Sequence, residues 1–456
     1  MATDPFKQLD VIRKVSSTGK RVTDCYRLMY KKELWLKAYA KLYPKQGYLT
    51  RNTYETIDEM SLQKIEEIIQ DLKKTNFRFS PESLLKKSDG FLETPNFRDE
   101  MVEEVMRIIL VNIYEPVFSE NSHAFRPGRS CHTALLQIKR TWKDITWCIT
   151  GHVRGCPENL DPGKMIKILD NKIEDRRFIL LIHNALKCGI TKKRTSRVPQ
   201  SKTPWRGIIS PLLANIYLHE FDRFMEEQIK QFEAEKGREM KYVRYADDFV
   251  IGISGSKKDA LKIKEIIREF MLKNLKLELS EEKTLIVHLQ KKIDFLGYQF
   301  RRWNPEKTLF SKISLEIPKQ KLVQFSRKNH YGNLDTFKVT PRTALINNSE
   351  MEILYTFNAE LRGIAQYYKL ADNYHMLEKV FHLARGSFVK TLANKRKTTS
   401  QKIYRQLGKG SQGELTITAK KGKPYKLLSF KHMPKDRIPK PITIARRIPE
   451  YYSQNS

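Results

Sequence analysis

The chain has 456 residues, 40% of them hydrophobic, which is enough apolar material for two or three cores. Its 85 Lys and Arg against 52 Asp and Glu leave a formal charge of +33, a field that calls for a polyanion. Nucleic acid is the leading partner, ahead of a ribosome-like role, a membrane surface or a merely solvated charged face. No apolar run reaches the roughly 20 residues that a bilayer-crossing helix needs, which excludes a helical membrane span. Five cysteines without a C-x-x-C pair exclude a disulfide framework and a zinc ribbon and fit a reducing interior.

Met1 to Lys20 shows neither a signal-peptide apolar stretch nor an acid-poor transit sequence, since Asp4 and Asp10 intrude, so the protein is expected to work where it is made. Helical spacing of Leu28, Leu34, Leu36, Tyr39 and Leu42 predicts a helix over Asp24 to Leu42, and Leu62 to Leu72 predicts another. Met101 to Phe118 reads as a further buried-face helix, stopped near Pro116. Strands are expected over Thr146 to Val153, Tyr242 to Ile253 and Thr284 to Val287, all rich in β-branched and aromatic or aliphatic residues. Asn304 to Thr343 is irregular and basic; from Glu350 helical periodicity returns through Leu354, Phe357, Leu361, Ile364, Tyr367, Tyr368 and Leu370. After Lys409 ten basic residues, three acids and five prolines suggest a short basic appendage without long helices. The class expected is α+β.

The short motif richest in chemistry is Tyr245-Ala246-Asp247-Asp248, set inside the Tyr242 to Ile253 strand signal. Two adjacent carboxylates raise each other's pKa unless a cation sits between them. A plain hairpin turn, which Asp also favours, is the competing reading. Three other stretches occur with it: SHAFRPGRSCHTAL from Ser122 to Leu135, ISPLLANIYLHEFD from Ile209 to Asp222, and LELSEEKTLI from Leu277 to Ile286 followed by FLGYQF from Phe295 to Phe300.

In this order the four stretches resemble the reverse transcriptases encoded by group II introns, over about Asp24 to Leu407. The resemblance implies the fingers and palm of a right-hand polymerase followed by an α-helical thumb, the X or maturase domain, recognisable in Glu360-Leu361-Arg362-Gly363 with Tyr367 and Tyr368. The expected division is 1–120 for the N-terminal helices and fingers, 121–305 for the palm, 306–409 for the thumb and 410–456 for the appendage. Mobile members of the family end in a nuclease domain with paired cysteines. No cysteine follows Cys188 and only His432 lies beyond His382, so that domain is expected to be missing.

A polymerising palm needs two divalent ions bridged by carboxylates from two strands. In the family the earlier strand supplies an aspartate and, five residues on, an aromatic that screens the sugar. The matching segment runs from Trp147 to Pro157, with His152 at the aspartate position and Pro157 at the aromatic one. Imidazole offers one lone pair and cannot bridge two ions. Asp161 is the nearest replacement, but it lies between Pro157 and Pro162 in an expected loop. Thr203-Pro204-Trp205-Arg206-Gly207 stands where the family has Thr-Pro-Gln-Gly-Gly against the incoming nucleotide, placing bulk where close backbone approach needs glycine. Lys87 to Pro95 stands where a basic run contacts the triphosphate, and Glu93 there would repel it. Asp247 and Asp248 are then kept either by the turn or by one residual magnesium ion.

RNA binding requires only cations for phosphates and aromatic faces for unpaired bases. Candidate contacts are His123, Phe125, Arg126, Arg129 and His132 in the fingers-like segment, and Arg362, Tyr367, Tyr368, Lys369, Arg385, Lys390, Lys395, Arg396 and Lys397 in the thumb, where Tyr374 and Phe388 also occur. Lys420, Lys421, Lys423, Lys426 and Lys431 extend the basic surface. For each aromatic the alternative is ordinary core packing. The expectation is a maturase that binds its intron RNA and promotes splicing, with synthesis lost, no cofactor of its own, magnesium held mainly by the RNA, and DNA binding weak or incidental. The rivals are an active reverse transcriptase with an atypical metal site and a domesticated binder of several introns or other RNAs, with further splicing factors as partners. An organelle, with a plastid favoured, is the expected compartment, and bacterial cytoplasm is the alternative.

Overall fold

The computed structural model describes residues 4–46, 62–80, 83–87, 90–94, 96–191, 207–235, 237–303, 312–409, 414–419 and 422–433. The chain folds as α+β in two compact units, Met1–Ser130 with Trp147–Ile286, and Cys131–Thr146 with Val287–Ser456.

The first unit begins with helices α1 (Pro5–Ser17), α2 (Cys25–Leu28), α3 (Lys32–Gln46) and α4 (Leu62–Lys73), then a hairpin of β1 (Ser83–Lys87) and β2 (Gly90–Thr94) and the long helix α5 (Phe97–Tyr114). The single helix expected over Asp24 to Leu42 is two. A turn at Met29 to Lys31 interrupts it, and the buried Trp35 indole donates to the Met29 carbonyl at 2.8 Å. Asn96 caps α5 by accepting from the Arg98 amide at 3.0 Å, and Asp99 and Glu100 complement the dipole in its first turn. Met101, Val102, Val105, Ile109 and Ile113 of α5 are buried in the core of this unit.

After α6 (Cys131–Thr141), which belongs to the second unit, the first unit resumes with β3 (Trp147–His152), α7 (Pro162–Asp170), α8 (Arg176–Thr191), α9 (Ser210–Glu233), β4 (Met240–Tyr245), β5 (Asp248–Ile253) and α10 (Lys257–Leu275). The expected Tyr242 to Ile253 strand is thus a hairpin, β4 and β5, turning at Ala246 and Asp247. β5 lies antiparallel between β4 and β3, and its Phe249, Val250 and Ile251 are buried. Gly151 faces Phe249 in register, and a Cβ there would fall 2.0 Å from the Phe249 ring, so only glycine lets the two strands lie this close.

The second unit follows with β6 (Ile286–His288), where the chain leaves the first, then β7 (Ile293–Phe295), β8 (Tyr298–Trp303) and β9 (Lys312–Glu316) in an antiparallel sheet ordered β7-β8-β9. Helices α11 (Lys319–Lys328), α12 (Glu350–Tyr367), α13 (Leu377–Lys395) and α14 (Ser400–Leu407) come next. The irregular reading of Asn304 to Thr343 gives way to β9 and α11: Ile313, Leu315 and Leu322 are buried between the lysines that hid the pattern. A Ser349–Glu352 capping box starts α12. Behind it Phe357 stacks on Tyr331, with ring centroids 5.4 Å apart, and meets Phe388 edge-on. The basic tail contributes short strands at Glu414–Thr418 and Pro424–Lys426.

Candidate metal centre and nucleic-acid interface

The antiparallel register that pairs Gly151 with Phe249 also sets His152 opposite Asp248. His152 Nδ1 lies 2.7 Å from Asp248 Oδ1 and 3.5 Å from Asp247 Oδ2. One donor atom each from His152, Asp247 and Asp248 lies within 4.8 Å of the other two, and all three side chains are partly open to solvent. Backbone geometry fixes the turn: the Val153 amide donates to the Asp247 carbonyl at 3.0 Å, and Ala246 adopts a left-handed φ of 56°. Burial first, and then the neighbouring Asp248 charge, raise the Asp247 pKa above its usual range.

The turn rests on a buried arginine that the sequence reading passed over. Arg244 is fully buried; it bonds to both Asp222 carboxylate oxygens at 2.7 and 2.5 Å, to Asn215 Oδ1 at 3.0 Å, to Ser122 Oγ at 2.8 Å and to the Ala246 carbonyl at 3.0 Å. Tyr242 donates to the same Asp222 at 2.8 Å, and Asn215 donates to the Ala124 carbonyl at 2.6 Å. Burial alone would raise the Asp222 pKa, but the Arg244 charge and hydrogen bonds overcome it and lower it to about 2. Three of the recognised stretches, those containing Ser122, Asn215 with Asp222, and Asp247 with Asp248, therefore converge on one side chain. An arginine inside an otherwise apolar strand, with an aspartate on the preceding helix, is the signal that would have found it.

Asp161 does not join the centre. It caps α7, accepting from the Lys164 amide at 2.7 Å with Pro162 in the first turn, and pairs with Lys276 at 3.0 Å; the loop expected around Pro162 is a helix start. Thr203 to Arg206 lie outside the described residues, as do the side chains from Lys87 to Pro95, Glu93 included, and Lys420 and Lys421. A pair of magnesium ions bridged by carboxylates from both strands does not fit the donors present, because β3 offers an imidazole nitrogen where a bridging oxygen is needed.

The fingers-like candidates divide by burial. His123 and Arg126 are buried; Arg126 chelates Glu115 at 2.9 to 3.2 Å, donates to the Ser122 carbonyl at 2.8 Å and lies over the Phe118 ring. Both are thereby withdrawn from a solvent-facing surface. With its neighbours drawn inward, Phe125 is thrown outward at a left-handed φ of 55° and is 57% exposed. Arg129 is engaged by the side chain and carbonyl of Glu120.

In the second unit His132 is buried, its Nε2 donating to the Tyr367 carbonyl at 2.7 Å. Tyr368 and Tyr374 are buried, donating to the Gly297 and Met433 carbonyls, and Phe388 is core, so none of these offers a face to a base. Tyr367 keeps 39% exposure while its hydroxyl donates to the Leu296 carbonyl. Arg362 and Lys397 are exposed and make no side-chain hydrogen bond or ion pair with any described residue. Lys369 is half-buried, and burial lowers its pKa. Arg385 lies over the Tyr404 ring; Lys390 and Lys395 donate to the Val339 and Ile346 carbonyls; Arg396 chelates Glu350 at 2.6 and 2.7 Å. Arg396 thus reaches the start of α12 and Arg385 reaches α14, while Lys390 and Lys395 pin the segment before α12 onto α13. Glu360, part of the motif that marked the thumb, does the same from α12 by binding Arg342 and Tyr331 at 2.7 Å each. Of the tail lysines, Lys423 lies over Tyr425, Lys426 pairs with Glu414, and Lys431 is exposed.

A palm-like sheet with a two-aspartate turn, followed by a helical unit, defines a reverse-transcriptase domain joined to a maturase domain. Residues 84–300 match the family described as reverse transcriptase (RNA-dependent DNA polymerase), and residues 310–454 match the type II intron maturase family. The group II intron-encoded protein LtrA of Lactococcus lactis subsp. cremoris is 35% identical, across 88% of this chain and 80% of that protein. The chain therefore belongs to the group II intron-encoded reverse transcriptase and maturase family. An uncharacterized 91 kDa protein in the cob intron of Schizosaccharomyces pombe is 29% identical over 89% of this chain and 60% of its own length. Nuclear intron maturase 2, mitochondrial, of Arabidopsis thaliana is 26% identical over 85% of this chain and 67% of its own. The relatives named are thus bacterial or organellar intron proteins.

Proposed function

We propose that this chain is a non-polymerising maturase: it binds its intron RNA, stabilises the fold in which the RNA splices itself with its own magnesium, and makes no DNA. The observation that carries the proposal is His152, whose nitrogen faces Asp248 at 2.7 Å in the place where nucleotidyl transfer needs a bridging carboxylate. The exposed Arg362 lies two helical turns from the half-exposed Tyr355 on α12, which suits a phosphate contact beside a stacking ring. Primer extension on an RNA template with magnesium or manganese is expected to give no cDNA, while splicing of the host intron responds to the protein and falls when Arg362 and Lys369 are both changed to alanine. Synthesis that disappears with Asp247→Ala would overturn the proposal.

The rival reading, an active reverse transcriptase with an atypical site, draws on the intact Asp247 and Asp248 and on their supported turn. The gene's position separates a dedicated maturase from a binder of several introns: an open reading frame inside an intron favours the former. The degenerate palm also supports a plastid as the narrower compartment within the organelles, and sequencing the surrounding genome tests this.

A further inference from the structure

The exchange of a carboxylate for an imidazole changes what the palm can hold as well as what it cannot. Magnesium demands hard oxygen donors in near-octahedral array. One imidazole nitrogen with two carboxylates is instead a donor set for late first-row ions, whose affinity for nitrogen rises towards copper and stays high for zinc. The three donor atoms lie within 4.8 Å of one another, a span that one ion at ordinary ligand distances can bridge. The donors are also held before any ion arrives. His152 and Asp248 are register partners in neighbouring strands, Arg244 grips the Ala246 carbonyl from below, and Val153 grips that of Asp247. Partial exposure of all three leaves at least one position for water or an anion.

We propose that His152, Asp247 and Asp248 form a mononuclear site for a late first-row divalent ion, zinc or cobalt, in preference to magnesium. The site stands apart from splicing and is tested without RNA, so its failure and that of the maturase reading are distinguishable.

Calorimetric titration of the full purified chain with Zn²⁺ alone is expected to show one equivalent bound, with Mg²⁺ at the same concentration giving no heat. Co²⁺ is expected to give visible absorption of a low-symmetry, nitrogen-containing site, bleached by added Zn²⁺. His152→Ala and Asp247→Asn should each weaken Zn²⁺ binding by tenfold or more while leaving the far-ultraviolet circular dichroism unchanged, and Cys156→Ser should leave it intact. His152→Asp should shift preference towards Mg²⁺ and Mn²⁺. Absence of Zn²⁺ binding, binding that survives His152→Ala and Asp247→Asn, or equal affinity for Mg²⁺ would overturn the proposal. Should His152→Ala prove unfolded, His152→Asn, which keeps the polar volume, carries the same test.

Discussion

Arg126 spends its guanidinium on Glu115, Ser119 and Ser122 inside the first unit, whereas Arg362 projects into solvent from α12 without a described partner. Arg126→Ala is expected to lose roughly 2–4 kcal/mol of stability, since it strands a half-buried carboxylate, with RNA affinity per folded molecule unchanged. Arg362→Ala is expected to stay within about 0.5 kcal/mol of the parent in stability. Its RNA affinity should fall, and the slope of log affinity against log salt should shrink by about one. Denaturant melts and salt-dependent filter binding check both. Asp247 belongs at the same scale. Its native pKa is raised, so the folded state binds that proton more tightly than the unfolded chain does and is progressively penalised as pH rises above the ordinary 3.8. In chelator, Asp247→Asn is therefore expected to be more stable than the parent at neutral pH, the gain fading as the pH falls through the raised native pKa towards 3.8 and absent below it, where both states are protonated. The pair of aspartates and the histidine replacing a third were readable from the sequence, because motif order locates them. Which of the basic residues face outward was not: Arg126 and Arg129 look alike in sequence and differ only in what packs around them.

The hairpin of β4 and β5 shows how the palm elements are held together independently of any bound substrate. Gly151 permits close strand approach, and Arg244 ties the turn to α9 through Asp222 and Asn215, which lie seven residues apart on one helix face. Arg244→Met is expected to cost about 3–5 kcal/mol, because it leaves the buried Asp222 charge without its partner. Asp222 titrates in the opposite sense to Asp247. Its native pKa is depressed, so the stability it contributes is present above 3.8 and is lost as the pH falls towards 2. Acid melts of the parent and of Arg244→Met check the magnitude and the pH window. Strand placement at Trp147–His152 followed from β-branched and aromatic content. The two-strand division of Tyr242 to Ile253 and the helix α11 did not, since a continuous apolar run cannot reveal its own turn and scattered lysines mask a buried stripe.

At the scale of the whole molecule, the charge of +33 suits a polyanionic partner, and the paired domain matches place the chain in the intron maturase family. Reinstating the family residues with His152→Asp and Pro157→Phe is expected to leave primer extension at background, because Trp205, Arg206 and Glu93 would still differ from the family's nucleotide-contacting sequence; product above background would show that the change at the metal position alone accounts for the loss. Composition, motif order and the missing carboxylate are properties of the chain as written. They were legible because each depends on residue identity and spacing alone. The Arg244 network, the burial of His123 and Tyr368, and the approach of His152 to both aspartates depend on contacts between residues tens to over a hundred positions apart. Local periodicity carries no information about such partners, so only the packed tertiary structure could decide which charges are scaffold and which remain exposed.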